Sequence, residues 1–306
     1  MKTFYTLLIL VFAVVTLKSQ SGTFQSIASA GWGVNTTWTM TAGSDVDGIP
    51  DSDDDVTVTT HTVTLLGGGI NSTCKSLTID ATGTVKGNNG KLVLKGNFTN
   101  NGKVIQNMSV VVQANCTFSS ASTFTNTGEI RVTSGTLTFA PGTVLNKKGN
   151  ISMQISGTKI INNGSITLNV GSPVGKISGV TGTQWTNATG SYLKITSSIT
   201  GAAVFSFSAA ANTMVYASTS TNIINTTYAN LEVSTTTLTT LAADLNVTEN
   251  FLYNGGGSAT LDVNTHTISV GGNFTHSSGT LDFESTGSKV IFNNASQQQQ
   301  SPVYFW

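Results

Sequence analysis

Gly128-Glu129-Ile130-Arg131-Val132, Gly135-Thr136-Leu137-Thr138-Phe139, Gly142-Thr143-Val144-Leu145, Gly149-Asn150-Ile151-Ser152-Met153 and Gly164-Ser165-Ile166-Thr167-Leu168 are variants of one short phrase. With Gly157 included, the glycines recur every seven residues with one step of eight. Four of the five phrases alternate polar and apolar residues, so their apolar side chains point to one face of a strand; in Gly142-Thr143-Val144-Leu145 the two apolar residues are adjacent. A glycine between strands accepts the positive φ of a tight corner without a Cβ clash. A corner every seven residues leaves no room for ordinary hairpins.

Three such units make about 21 to 22 residues, the length of one coil of a three-sided parallel β-helix. A second period agrees with this: Leu77, Phe98, Phe118, Phe139 and Ile160 stand at steps of 21, 20, 21 and 21. In a coiled sheet, equivalent positions of successive coils are neighbours about 4.8 Å apart, so these residues are expected to stack as an interior column. The fold expected is all-β: a right-handed parallel β-helix, a three-sided solenoid, with an N-terminal capping segment.

Composition agrees. Of 306 residues only 9% are charged and 32 are glycine, the formal net charge is zero, and Thr, Ser and Asn abound. Such a chain is poor in helix formers and rich in strand and turn formers. With Arg131 as its single arginine and no basic stripe, it is not expected to bind nucleic acid.

Met1 to Gln20 reads as a secretory signal peptide: a positive start at Lys2, an apolar run from Thr6 to Leu17 and a small polar exit. That run is short of the roughly 20 residues of a membrane span, and no later segment is apolar enough to cross a bilayer. Localisation is therefore expected to be extracellular or at the outer cell surface. Residues 21–55 follow as the cap and an acidic loop, with Trp32 and Trp38 expected to cover the open first coil rather than to stack on sugars. Regular coils are expected over 56–171 and less regular ones over 172–212. A further repeat unit over 213–306, ending in the apolar Val303-Tyr304-Phe305-Trp306, reads as cut short.

The acidic loop, Asp45-Val46-Asp47-Gly48-Ile49-Pro50-Asp51-Ser52-Asp53-Asp54-Asp55, concentrates carboxylates that repel one another unless a cation or backbone N–H groups neutralise them. Its alternation makes Asp45, Asp47, Asp51, Asp53 and Asp55 the candidate ligands, with Ca²⁺ the candidate ion. A solvated loop in which Asp55 only anchors the first strand is the competing reading. The phrase Asp47-Gly48-Ile49-Pro50-Asp51 resembles a calcium loop of thrombospondin type 3 repeats, in a single copy and without that family's flanking cysteine.

A wider resemblance rests on the Trp-containing opening, the acidic loop through Val58, Cys74-Lys75-Ser76-Leu77-Thr78-Ile79, the Gly-Asn-Phe-Thr phrases at Gly96 and Gly272, and Thr227-Tyr228-Ala229-Asn230-Leu231. Together these look like the secreted β-helical surface proteins that bacteria export through the type IX system. The resemblance implies a surface stalk or adhesin whose partner is a host or environmental surface, with polysaccharide as one candidate. Because polysaccharide lyases and hydrolases also use parallel β-helices, a carbohydrate-active or glycan-binding helix is the alternative. Glycoside hydrolysis needs two carboxylates about 5 to 9.5 Å apart. Asp262 and Asp282, 20 residues apart and able to face outward on adjacent coils with His266 and His276 nearby, are the one constellation worth naming, and surface residues alternating with Leu261, Val263, Leu281 and Phe283 are the plainer explanation. No catalytic residue is assigned. The three histidines share no zinc-ligand spacing, and the glycines punctuate strands rather than open helices.

Cys74 and Cys116 lie 42 residues apart, two steps of the 21-residue period. That places them in one column about 9.6 Å apart, beyond the roughly 7 Å reach of a disulfide. Both are expected to be unpaired and buried.

Overall fold

A computed structural model describes residues 21–68, 70–120, 128–169, 175–218 and 222–294. The expected signal peptide at 1–20 and the terminal 295–306 lie outside the described residues. What is described is almost entirely β, with a single 3-10 turn at Asn35–Thr37. Short strands wind in parallel coils, about ten turns in all, into a β-solenoid. One coil runs Ser76–Ile79, Thr84–Lys86, Lys91–Leu94, and the next lays Phe98–Asn100, Lys103–Ile105 and Ser109–Val112 on those three strands in turn.

The three strands of a coil belong to three faces. The first face is a ten-stranded sheet ending at Val204–Ser206, and the third is a seven-stranded sheet from Asn71–Cys74 to Ile199–Gly201. The second face begins as three strands, Thr62–Thr64 to Lys103–Ile105, and is a seven-stranded sheet from Val144–Lys147 to Phe274–Ser278. Beyond residue 206 the first face continues as a four-stranded sheet starting at Thr227–Tyr228, joined through the Phe207 to Tyr228 bridge. In the stretch 172–212, expected to hold less regular coils, the ladder continues from residue 177: Ile177 stacks on Ile151 and Trp185 on Ile160. The break falls later, around Phe207, where the first- and third-face sheets end while the second-face sheet runs on.

The column read from the period is real for most of its length. Leu77 pairs with Phe98, Phe98 with Phe118 and Phe118 with Phe139, and the phenyl rings stack at 4.6 and 5.4 Å. Ile160 does not follow. It sits on Leu137, and Phe139 is followed by the buried Asn162. The reason is a corner: residues 133–135 join Val132 to Thr136, whereas 154–158 join the equivalent Met153 to Lys159 and are two residues longer. A slip of two keeps every side chain on its face, so the core survives it.

Glycine serves the corners in two ways. Gly135 has φ 69°, in the left-handed region expected. At Gly128 a Cβ would collide with the Met108 carbonyl of the previous coil. Asparagines bridge coils at the corners, as in Asn107 Nδ2 to Asn89 Oδ1 (2.8 Å) and Asn250 Nδ2 to Asn230 Oδ1 (2.8 Å). These bonds tie one coil to the next through exposed side-chain amides.

The cysteines are free and buried, as expected, but for a different reason. Cys74 is on the third face, stacked on Leu94, and Cys116 on the first, stacked on Leu137. They share no column, because the 42-residue separation equals two periods without equal positions within the coil. Burial pushes the Cys116 thiol up to about 12 and raises that of Cys74 as well, so both behave as small apolar groups.

Candidate metal centre

The acidic loop sits at the start of the solenoid, held between the cap and the first coil. The cap is an antiparallel pair, Gly22–Ser26 with Trp38–Gly43, whose first strand also pairs in parallel with Asp55–Val58. Trp32 and Trp38 are both buried and meet edge to face at 5.1 Å. Trp38 Nε1 donates to the Trp32 carbonyl (2.7 Å) and Trp32 Nε1 to that of Pro50 (3.3 Å), which ties the loop to the cap. Buried rings offer no open platform for sugar stacking, so they cap.

Within the loop, three aspartates each fold the chain back on itself. Asp45 Oδ1 accepts from the Asp47 N–H (2.9 Å), Asp47 Oδ1 from Ile49 (2.8 Å) and Asp51 Oδ1 from Asp53 (2.9 Å). These are short side-chain-to-backbone turns of the kind aspartate favours. The deepest carboxylate is Asp54, which is fully buried. Its Oδ1 accepts from the Gly22 N–H (2.5 Å) and its Oδ2 from Asp51 (2.6 Å), while its carbonyl accepts from Lys75 N–H (2.8 Å). Asp54 thus joins cap, loop and second coil.

Ligand oxygens of Asp45, Asp51 and Asp54 all lie within 4.8 Å of one another. Two oxygens on opposite sides of a Ca²⁺ ion, each at about 2.4 Å, are about 4.8 Å apart, so the three fall within reach of a single cation. An all-oxygen set suits a hard ion. Burial raises the pKa of Asp54, and the Asp51 and Asp45 carboxylates add to the rise against the lowering effect of its two backbone donors.

The triad is not the one that alternation picks out. Asp45 and Asp51 are in it; Asp47 and Asp53 are not, and Asp55 is engaged elsewhere. Asp55 opens the first strand pointing outward, where it meets Lys75 Nζ (2.9 Å) and Ser76 Oγ (2.5 Å). Its burial alone would raise its pKa, but Ser76 and Lys75 outweigh this and hold it below the usual carboxylate value. The missed residue is Asp54. Asp51 to Asp54 is a turn, with the Asp54 N–H on the Asp51 carbonyl (3.3 Å), so residues three apart share a side where a strand would pair residues two apart.

No protein-family model, no curated protein and no solved structure matches this chain.

Asp262 and Asp282 are neighbours on adjacent coils, as the spacing predicts. Each is occupied in holding a turn: Asp262 Oδ1 accepts from Asn264 N–H (2.7 Å) and Asp282 Oδ1 from Glu284 N–H (2.9 Å). His266 faces Asp244 at 3.5 Å, and His276 stacks on Tyr253 at 5.6 Å with Nε2 3.0 Å from the Gly279 carbonyl. The histidines therefore point to partners other than this carboxylate pair.

The outward side of the first face is polar. A shallow cleft of about 410 Å³ is lined by Asp55, Lys75, Ser76, Thr78, Asn97 and Thr99 among others, and a neighbouring one of about 310 Å³ shares Asn97 and continues along Thr117, Thr136 and Thr138. Among the described residues no helix is long and apolar enough to cross a membrane.

Proposed function

We propose that this chain is a secreted, type IX-exported surface protein whose solenoid is a rigid stalk or adhesive rod, with no catalytic role of its own. The observation that carries this reading is the outward column Thr57, Thr78, Thr99 and Ser119, in register on successive coils, flanked by Ser76, Asn97, Thr117 and Thr138. Hydroxyls and amides without aromatic rings, and with the one local ion pair self-neutralised, make a repetitive contact surface for hydrated polymers or cell surfaces. They supply neither a general acid nor a base. Protease shaving of intact producing cells should release peptides of this chain. Purified protein incubated with a polysaccharide panel should liberate no reducing ends or unsaturated uronates, and liberation of either would favour the carbohydrate-active alternative.

Within this reading Asp45, Asp51 and Asp54 hold Ca²⁺ and lock the cap onto the first coil. Extracellular calcium modules bind at about 10⁻⁴ to 10⁻³ M, so about 10 mM Ca²⁺ should stabilise the chain by about 1.4 to 2.7 kcal/mol. Thermal melts with calcium and with chelator measure this. Asp45→Asn, which keeps a turn-forming oxygen but loses the charge, should remove most of the difference. A melting temperature indifferent to calcium would leave the loop a purely hydrogen-bonded anchor.

A further inference from the structure

Asn–Gly pairs occupy several corners, and three of them differ in how the glycine nitrogen is held. At Asn163 the side-chain Nδ2 donates to the Phe139 carbonyl (3.0 Å), and the Gly164 N–H donates to Asn162 Oδ1 (3.0 Å). At Asn254 the Gly255 N–H donates to the Ser278 carbonyl (3.0 Å) and Ser278 Oγ to Asn254 Oδ1 (2.9 Å). Asn89 is exposed, with φ 54°, and is fixed to the next coil at two points. Its backbone N–H donates to the Asn107 carbonyl (2.9 Å), and its Oδ1 accepts from Asn107 Nδ2 (2.8 Å). Among the described residues the Gly90 N–H has no hydrogen-bond partner.

We propose that Asn89 is a modification site, where the corner promotes spontaneous conversion of asparagine to aspartate and isoaspartate with water as co-reactant. The Gly90 nitrogen attacks Asn89 Cγ, forming the new C–N bond. The Cγ–Nδ2 bond breaks, and ammonia leaves carrying the proton that Gly90 gives up. Water then opens the five-membered imide at one of its two carbonyls, giving aspartate or isoaspartate with no change of oxidation state.

Three features of the corner favour the first step. Asn107 Nδ2–H points at the oxygen on which negative charge develops, the placement that makes a donor effective in acyl transfer. The exposed Asn89 side chain is open to water, and Gly90, itself buried, carries no Cβ to hinder the approach of its nitrogen. At Asn163 and Asn254 the glycine nitrogen must first leave its acceptor, and at Asn163 the leaving amide is tethered too. The product carboxylate keeps Asn107 as a donor, now charge-assisted, and adds one negative charge to a chain of formal net charge zero.

The test is peptide mass mapping of the whole folded chain during incubation in mildly alkaline buffer at physiological temperature. Asn89 should convert at least about tenfold faster than Asn163 or Asn254, since each tether that must break costs about a factor of ten in rate. In concentrated urea the three rates should converge. Equal rates in the folded chain, or a lead for Asn89 that persists unchanged in urea, would overturn the assignment.

Discussion

Replacing Lys147 with methionine is expected to stabilise the solenoid by up to about 4 to 5 kcal/mol at and below neutral pH, and to flatten its pH dependence. Lys147 ends the strand Val144–Lys147 and points inward, fully buried. Its Nζ donates to the carbonyls of Gly128 and Lys148. The nearby Glu129 carboxylate is already engaged by Arg131 (2.6 Å) and by Ser152. Burial pulls the Lys147 amine from 10.5 down to about 7, with Glu129 opposing only in part. Between those values the unfolded chain binds a proton that the folded chain does not, so stability rises with pH across the window. The penalty is complete below about 7 and absent above 10.5. Urea midpoints measured below, within and above that window should climb for the native chain and stay nearly level for Lys147→Met. Parallel curves for the two would mean that Lys147 is not buried as described.

Phe118→Ala should cost about 3 to 5 kcal/mol, the range for deleting a buried phenyl ring. Phe118 is fully buried between Phe98 and Phe139, so the cavity opens in the middle of a stack with no side chain free to fill it. Phe292, 46% exposed on the last described strand, touches Phe274 edge to face at 6.0 Å, and its loss should cost about 1 kcal/mol or less. Because each coil contacts only its neighbours, the damage from Phe118→Ala should spread through adjacent coils. Urea denaturation of the two variants compares them directly, and equal costs would argue against a continuous interior column.

The architecture was legible because it is written in two commensurate periods, the seven-residue glycine phrase and the 21-residue apolar column. From Leu77 to Phe139 the apolar column is right to the residue. It fails at Ile160 because a corner can grow by two without disturbing the alternation around it, and a period alone does not record that growth. The cysteines show the same limit: sequence distance counts coils but not the face on which a residue lies. In the acidic loop, composition located the cluster, but choosing its members required the local backbone. A strand-like alternation gives Asp51, Asp53 and Asp55, while the turn that actually forms turns Asp54 inward and Asp55 out to Lys75. Lys147 stands two residues from the buried Leu145, so alternation points it inward, and only its charge argues for the surface.

The parallel register itself is best tested by cross-linking outward neighbours on successive coils. Thr78 and Thr99 are register partners on the first face, in adjacent strands that lie about 4.8 Å apart, within the span a disulfide bridges. Thr78 and Thr138 lie on coils further apart along the same face. Under mild oxidation, Thr78→Cys with Thr99→Cys should give an intramolecular disulfide, read as a bridged peptide by mass spectrometry, while Thr78→Cys with Thr138→Cys should not. A bridge in the second pair, or none in the first, would contradict the stacked-coil register.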